Sequence, residues 1–87
     1  MPEIQVEFYG VARRLAGCDT LPVKAGTVAE LIAALSVQCP QLAAHCFKGT
    51  QLRPHWIFNV AGRFVREAEE PLAADTPVLL MSADAGG

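Results

Sequence analysis

Basic charge is scarce. Seven Lys and Arg stand against nine Asp and Glu, and the formal net charge is -2. A general nucleic-acid binder would carry a basic excess, so that class is set aside. Long apolar runs are missing too. None approaches the roughly 20 residues that span a bilayer, so no transmembrane helix and no membrane partner is expected. Met1-Pro2-Glu3 lacks the basic, then apolar, pattern of a secretion signal. Cysteine is sparse and odd in number, at Cys18, Cys39 and Cys46, with no Cys-x-x-Cys pair. That argues against a disulfide framework or a zinc knuckle. It leaves free, mostly buried thiols in a reducing cytoplasm as the expectation. No repeat, linker or low-complexity tract interrupts the chain.

What remains is an 87-residue chain that is 52% hydrophobic and 18% charged. It is too apolar for a disordered segment, and long enough for one domain but not two. A domain of this size buries only about 60% of its unfolded surface, so one core of modest stability is expected.

Residues 3–9 alternate strictly. Ile4, Val6 and Phe8 face one way, and Gln5, Glu7 and Tyr9 the other, as in a half-buried strand. Residues 11–16 suit a short helix closed by Gly17. Residues 19–24 suit a second strand, with Pro22 placing it at an edge. Thr27 and Glu30 form a capping box, and Val28, Leu31, Ile32 and Leu35 follow at helical spacing. Pro40 ends that helix near Cys39 and opens another, from Gln41 to Lys48, with Gly49 as its stop. Residues 56–60 and 63–66 read as a hairpin around Ala61-Gly62. After a polar connection over 67–76, Pro77 to Met81 form a last strand, apolar on both faces and therefore central.

The order is strand, strand, helix, then three strands. One amphipathic helix covers one face of such a sheet, which predicts a two-layer α+β domain. The last strand puts Val78 and Leu80 on one face, Leu79 and Met81 on the other. Whichever pair the helix leaves bare either forms a docking patch or is covered by loops.

Residues 1–81 read as the domain, and 82–87, Ser-Ala-Asp-Ala-Gly-Gly, as a flexible tail. Six extended residues reach roughly 20 Å, more than the ~12 Å radius of gyration expected for the domain. Such a tail can enter a partner's pocket while the domain docks outside. Gly86 and Gly87 have no Cβ, so the backbone passes a narrow channel and no side chain shields the terminal carbonyl; Ala85 is nearly as slim. A carboxylate is a poor electrophile and has to be activated first. On Gly-Gly alone, a frayed terminus is the simpler reading. Joined to a small strand–strand–helix–strand domain, the functional reading is the stronger.

The whole chain resembles the ubiquitin-like sulfur carriers of the β-grasp fold, nearest the small subunit of molybdopterin synthase (MoaD) and the related thiamine carrier (ThiS). The matching pieces are Val6-Glu7-Phe8-Tyr9, Arg13, Leu15-Ala16-Gly17, Gly26 to Leu31, Asn59, and Val78 to Met81 followed by six residues that finish in Gly86-Gly87. Asp75-Thr76 replaces the family's frequent Gly-Asp, and Ser82-Ala83 its frequent Pro-Pro. Without paired prolines the tail is expected to be more mobile.

The resemblance implies a mixed sheet of about five strands with one main helix on one face. It also implies a mechanism. An adenylating, ubiquitin-activating-like enzyme spends ATP to activate the Gly87 carboxylate. Sulfide or a protein persulfide then displaces AMP and leaves a thiocarboxylate. The carrier gives up that sulfur to a larger subunit, such as the large subunit of molybdopterin synthase. Leu79 and Met81 are the expected partner contacts, and Ala85 and Gly86 thread the tail. The carrier binds no cofactor or metal and supplies no acid or base of its own; as a small subunit it would complete a molybdopterin synthase-type sulfurtransferase. Thiamine, cysteine or a secondary metabolite are alternative destinations for the sulfur. A ubiquitin-like modifier joined through Gly87 to lysines, and a plain interaction module with an inert tail, are the other classes.

Other candidate residues read more simply as scaffold. His45, Cys46, Cys39 and His55 match no common zinc spacing. Cys18 has nothing near it in sequence to lower its pKa. Arg13-Arg14 reads as a solvated helical face, Trp56 and Phe58 as core, and Glu67, Glu69 and Glu70 as a solvated acidic loop.

Overall fold

The computed structural model describes residues 1–83. The first strand, β1, is Glu3–Phe8, and its alternation buries Ile4, Val6 and Phe8. Helix α1, Val11–Ala16, ends at Gly17, whose φ of 78° lets its N–H reach the Arg13 carbonyl at 3.0 Å. Strand β2, Thr20–Lys24, lies antiparallel to β1 at the sheet edge, where Pro22 costs no ladder bond.

Helix α2 is Val28–Gln38. Thr27 Oγ1 accepts the Glu30 N–H at 3.3 Å, the cap expected from the sequence. Glu30 Oε1 accepts from the Gly26 N–H at 2.7 Å, one residue before the cap itself. The long connection completes the helix start: the carbonyls of Glu70 and Ala68 accept the N–H groups of Val28 and Ala29. Pro40 then opens α3, Pro40–Cys46.

Here the structure corrects the sequence reading. Helix α3 stops at Cys46 and does not run on to Lys48. Phe47–Lys48 (β3) instead pairs with Gln51–Leu52 (β4), and Gly49, with φ 62°, serves the turn between them. Leaving the helix lets Phe47 bury its ring beside Phe58, centroids 6.4 Å apart.

Strands β5 (Trp56–Val60) and β6 (Arg63–Val65) form the expected hairpin. Its two turn residues, Ala61 (φ 54°) and Gly62 (φ 83°), both adopt positive φ, and Asn59 Oδ1 accepts the Gly62 N–H. The last strand, β7, is Val78–Ser82, one residue later at each end than the sequence reading placed it. Its position is central as expected. The sheet order is β2-β1-β7-β5-β6, with β7 parallel to β1 and antiparallel to β5.

Val28, Leu31, Ile32 and Leu35 of α2 are fully buried, as are Ile4, Val6, Phe58, Val78 and Leu80 of the sheet. Each such side chain contributes about 1.5–3 kcal/mol on leaving water. The result is the expected two-layer α+β, ubiquitin-like β-grasp fold, to which α1, α3 and the β3–β4 hairpin are added. No helix among the described residues is long and apolar enough to cross a membrane.

Candidate functional site

Strand β7 decides which apolar pair stays bare. Val78 and Leu80 point into the core at 0% exposure, while Leu79 and Met81 lie half-buried on the opposite face. Register then adds residues that the sequence reading did not select. Met81 lies opposite Ile57, Leu79 opposite Asn59, and Asn59 in turn opposite Phe64. Phe64 is 65% exposed. Ile57, Phe64, Leu79 and Met81 therefore form one apolar patch around Asn59, on the face without a helix. A clue was present in 56–60: strict alternation puts Ile57 on the face opposite Trp56 and Phe58.

The patch continues to the root of the tail. A pocket of about 110 Å³ is lined by Ile57, Phe64, Met81, Ser82 and Ala83. Ser82 pairs with Trp56, and the Ala83 N–H donates to the His55 carbonyl at 2.7 Å. The chain is thus held to the sheet at Ala83, four residues before Gly87. Ala85, Gly86 and Gly87, the expected threading and reactive residues, lie outside the described residues. On the other side of the patch, Glu7 of β1 stands beside Leu79. The Tyr9 hydroxyl donates to Glu7 Oε1 at 3.0 Å, and this bond, with the carboxylate's charge, raises the phenol pKa.

The competing residues fall elsewhere. His45 is exposed, with Nδ1 3.1 Å from the Gln41 carbonyl of its own helix. Cys39 and Cys46 are buried. Burial pushes the Cys46 thiol up to about 12, and burial, then Cys18, raises Cys39. Among the described residues, no group of three His, Cys, Asp or Glu is placed to hold a metal. Cys18 is half-buried near an open hollow of about 470 Å³ whose arginines are exposed, Arg13 lying 3.6 Å from Asp19. Trp56 and Phe58 belong to the core. The acidic loop is more than a solvated segment: besides capping α2, it places Glu70 Oε2 2.7 Å from Arg63.

No family model and no curated protein matches the chain. Solved structures do. The solution structure of small archaeal modifier protein 1 from Methanosarcina acetivorans is similar over 100% of this chain and 98% of that one, with 22% identity and a TM-score of 0.81. In the crystal structure of the Amycolatopsis orientalis BexX/CysO complex, one chain matches over 97% of this chain and 99% of its own, with 20% identity and a TM-score of 0.80. A putative molybdopterin converting factor, subunit 1, from Pyrococcus furiosus covers 94% and 98%, with 18% identity and a TM-score of 0.75. Likeness at this level of identity establishes the fold: the chain is a ubiquitin-like β-grasp domain.

Proposed function

We propose that the protein is a sulfur carrier that acts through the carboxylate of Gly87. One observation carries this reading. A single central strand, β7, borders a bare apolar face and leads, from an anchored Ala83, into Asp84-Ala85-Gly86-Gly87. A partner resting on Ile57, Phe64, Leu79 and Met81 meets the root of the tail, at Ser82 and Ala83, at the edge of its contact.

The chemistry follows from the carboxylate. A Gly87 oxygen attacks the α-phosphorus of ATP held by an adenylating partner, pyrophosphate leaves, and an acyl adenylate forms. Hydrosulfide adds to the carbonyl. AMP departs with the bonding pair, and one carboxylate oxygen has been replaced by sulfur. Where a protein persulfide attacks instead, an acyl disulfide forms, and a second thiol cleaves its S–S bond, leaving the thiocarboxylate and a disulfide on the donor side. Slim Ala85 and Gly86 let the backbone lie in the partner's channel, at a cost in ordering entropy. The domain supplies no acid, base or metal; it positions a reactant.

A sulfur-accepting enzyme or larger subunit then takes the sulfur, with molybdopterin as the destination we favour. The likeness to a putative molybdopterin converting factor subunit supports this. The likeness to a chain in the BexX/CysO complex keeps other sulfur pathways open. The likeness to small archaeal modifier protein 1 favours a second reading, in which the activated Gly87 acyl group is taken by a lysine amine.

Both readings require activation at Gly87. With the adenylating enzyme of the same host, ATP–pyrophosphate exchange should depend on this protein and vanish on deletion of Gly87. Exchange that survives the deletion contradicts both.

A further inference from the structure

The turn that holds the tail root also presents positive charge. Arg53 and Arg66 are both exposed. Arg66 Nη1 donates to the Trp56 carbonyl at 2.5 Å, and Nη2 to the Arg53 carbonyl at 2.9 Å. Arg53 Nε donates to the Phe47 carbonyl at 3.1 Å. All three acceptors are neutral, so they fix the guanidinium groups without cancelling their charge. Neither arginine pairs with a carboxylate among the described residues, unlike Arg13 with Asp19 and Arg63 with Glu70. A guanidinium carries five N–H donors, and these bonds use one on Arg53 and two on Arg66. The rest are free to meet an anion, and bracing lowers the entropy lost when they do.

Position narrows the choice of anion. Trp56, which Arg66 grips, lies opposite Ser82, and His55, within the same turn, holds Ala83. The Arg66 guanidinium and the Arg53 backbone that it bonds therefore belong to the turn that holds the tail root, next along the chain to the pocket of Ile57, Phe64 and Met81, while the Arg53 guanidinium is braced on Phe47 at the turn's other side. Four extended residues separate Ala83 from the end of Gly87, about 14 Å. Groups at the tail root are thus nearer the entrance of a channel that takes the extended tail than its far end, where the carboxylate would react.

Resting on the sulfur-carrier reading above, we infer that Arg53 and Arg66 form a cationic lip that docks on carboxylates bordering the channel through which the activating partner admits the tail. These are docking residues. Charges at the rim of an interface chiefly set encounter rate and register, while the apolar patch supplies affinity. Glu7, across the patch, gives the face opposite charges on its two sides, which disfavours docking in the reversed orientation.

The test is adenylation of the full chain by the ubiquitin-activating-like enzyme of the same host, read as pyrophosphate release at low salt and at about 0.5 M salt. Arg53→Gln should lower kcat/KM about tenfold at low salt, with the loss in KM, and the gap should close as salt rises. Arg53→Lys, which keeps the charge but loses the Phe47 bond, should restore most of the rate. Thermal melts confirm that both variants are folded. An Arg53→Gln protein as fast as wild type overturns the lip and leaves the carrier reading intact. So does a loss that is insensitive to salt and not restored by lysine. A wild-type chain that is not adenylated at all removes the carrier reading, and the lip with it.

Discussion

The two faces of the main sheet are both apolar at their centre, yet they do different work. On one face Phe58, Val78 and Leu80 share one core with the buried side chains of α2 and are fully buried. On the other, one residue along the same strands, Ile57, Leu79 and Met81 are half-buried and Phe64 is 65% exposed. The covered face gains its free energy on folding. The bare face keeps apolar area in water, which has value only when a partner covers it. A β-strand places these roles on alternate residues, so neighbouring substitutions should have opposite consequences.

The sharpest test sets Phe58 against Phe64. Phe58→Ala should cost about 3–5 kcal/mol of stability and lower Tm by more than about 10 °C. Phe64→Ala should leave stability within about 0.5 kcal/mol of wild type, yet weaken binding to the adenylating partner about tenfold or more. Calorimetric melts and titration of the partner check the pair. Equal stability losses would erase the distinction between the faces.

A smaller effect confined to the covered side is expected from Thr27→Ala. It removes the side-chain cap of α2 and should cost about 1 kcal/mol with no change in partner affinity, read by denaturant melts and the same titration. The cysteines report burial more directly. Cys46, held near pKa 12, should resist alkylation at neutral pH, while half-buried Cys18 reacts first. Because the folded pKa lies above the ordinary thiol value of 9.0, the unfolded chain loses its proton first as pH rises. Stability from this group is therefore complete below about pH 9 and is lost toward about pH 12, measurable as a falling Tm over that window. The smallest effect is a gain. Ala61, at φ 54°, bears the strain of a left-handed residue, so Ala61→Gly should add about 0.5 kcal/mol. It turns the β5–β6 hairpin at the end away from Ala83, so docking should not change.

Much of this arrangement is legible in the sequence because local and tertiary preferences agree. The alternation of Ile4, Val6 and Phe8, the Thr27–Glu30 box and the doubly apolar last strand each point to the element that forms. Gly49 shows where that agreement fails. A helix stop and a tight hairpin turn both ask for positive φ, and two-residue strands are too short to show a period, so the β3–β4 hairpin stayed hidden. Leu79 and Met81 could be read from β7 alone. Ile57 and Phe64 join them only through strand register, which pairs residues far apart in the chain. Arg53 and Arg66 carry no local pattern at all; their common position depends on carbonyls at Phe47, Arg53 and Trp56 that the fold brings together. Glu67 to Glu70 look solvated by composition, but their segment's backbone caps α2, which side-chain chemistry does not reveal.

Everything proposed for this protein turns on the Gly87 carboxylate as the reacting group. Intact and top-down mass spectrometry of the protein isolated from its own host tests it most directly. Replacement of one oxygen by sulfur, localised to Gly87 and labile to alkylating reagents, is the predicted result. Localisation is essential, because oxidation of Met81 or a cysteine changes the mass by nearly the same amount. A branched peptide joining Gly87 to a lysine of another protein would assign the acyl group to an amine instead. A bare carboxylate that persists with adenylating enzyme, ATP and a sulfur source present would contradict the account.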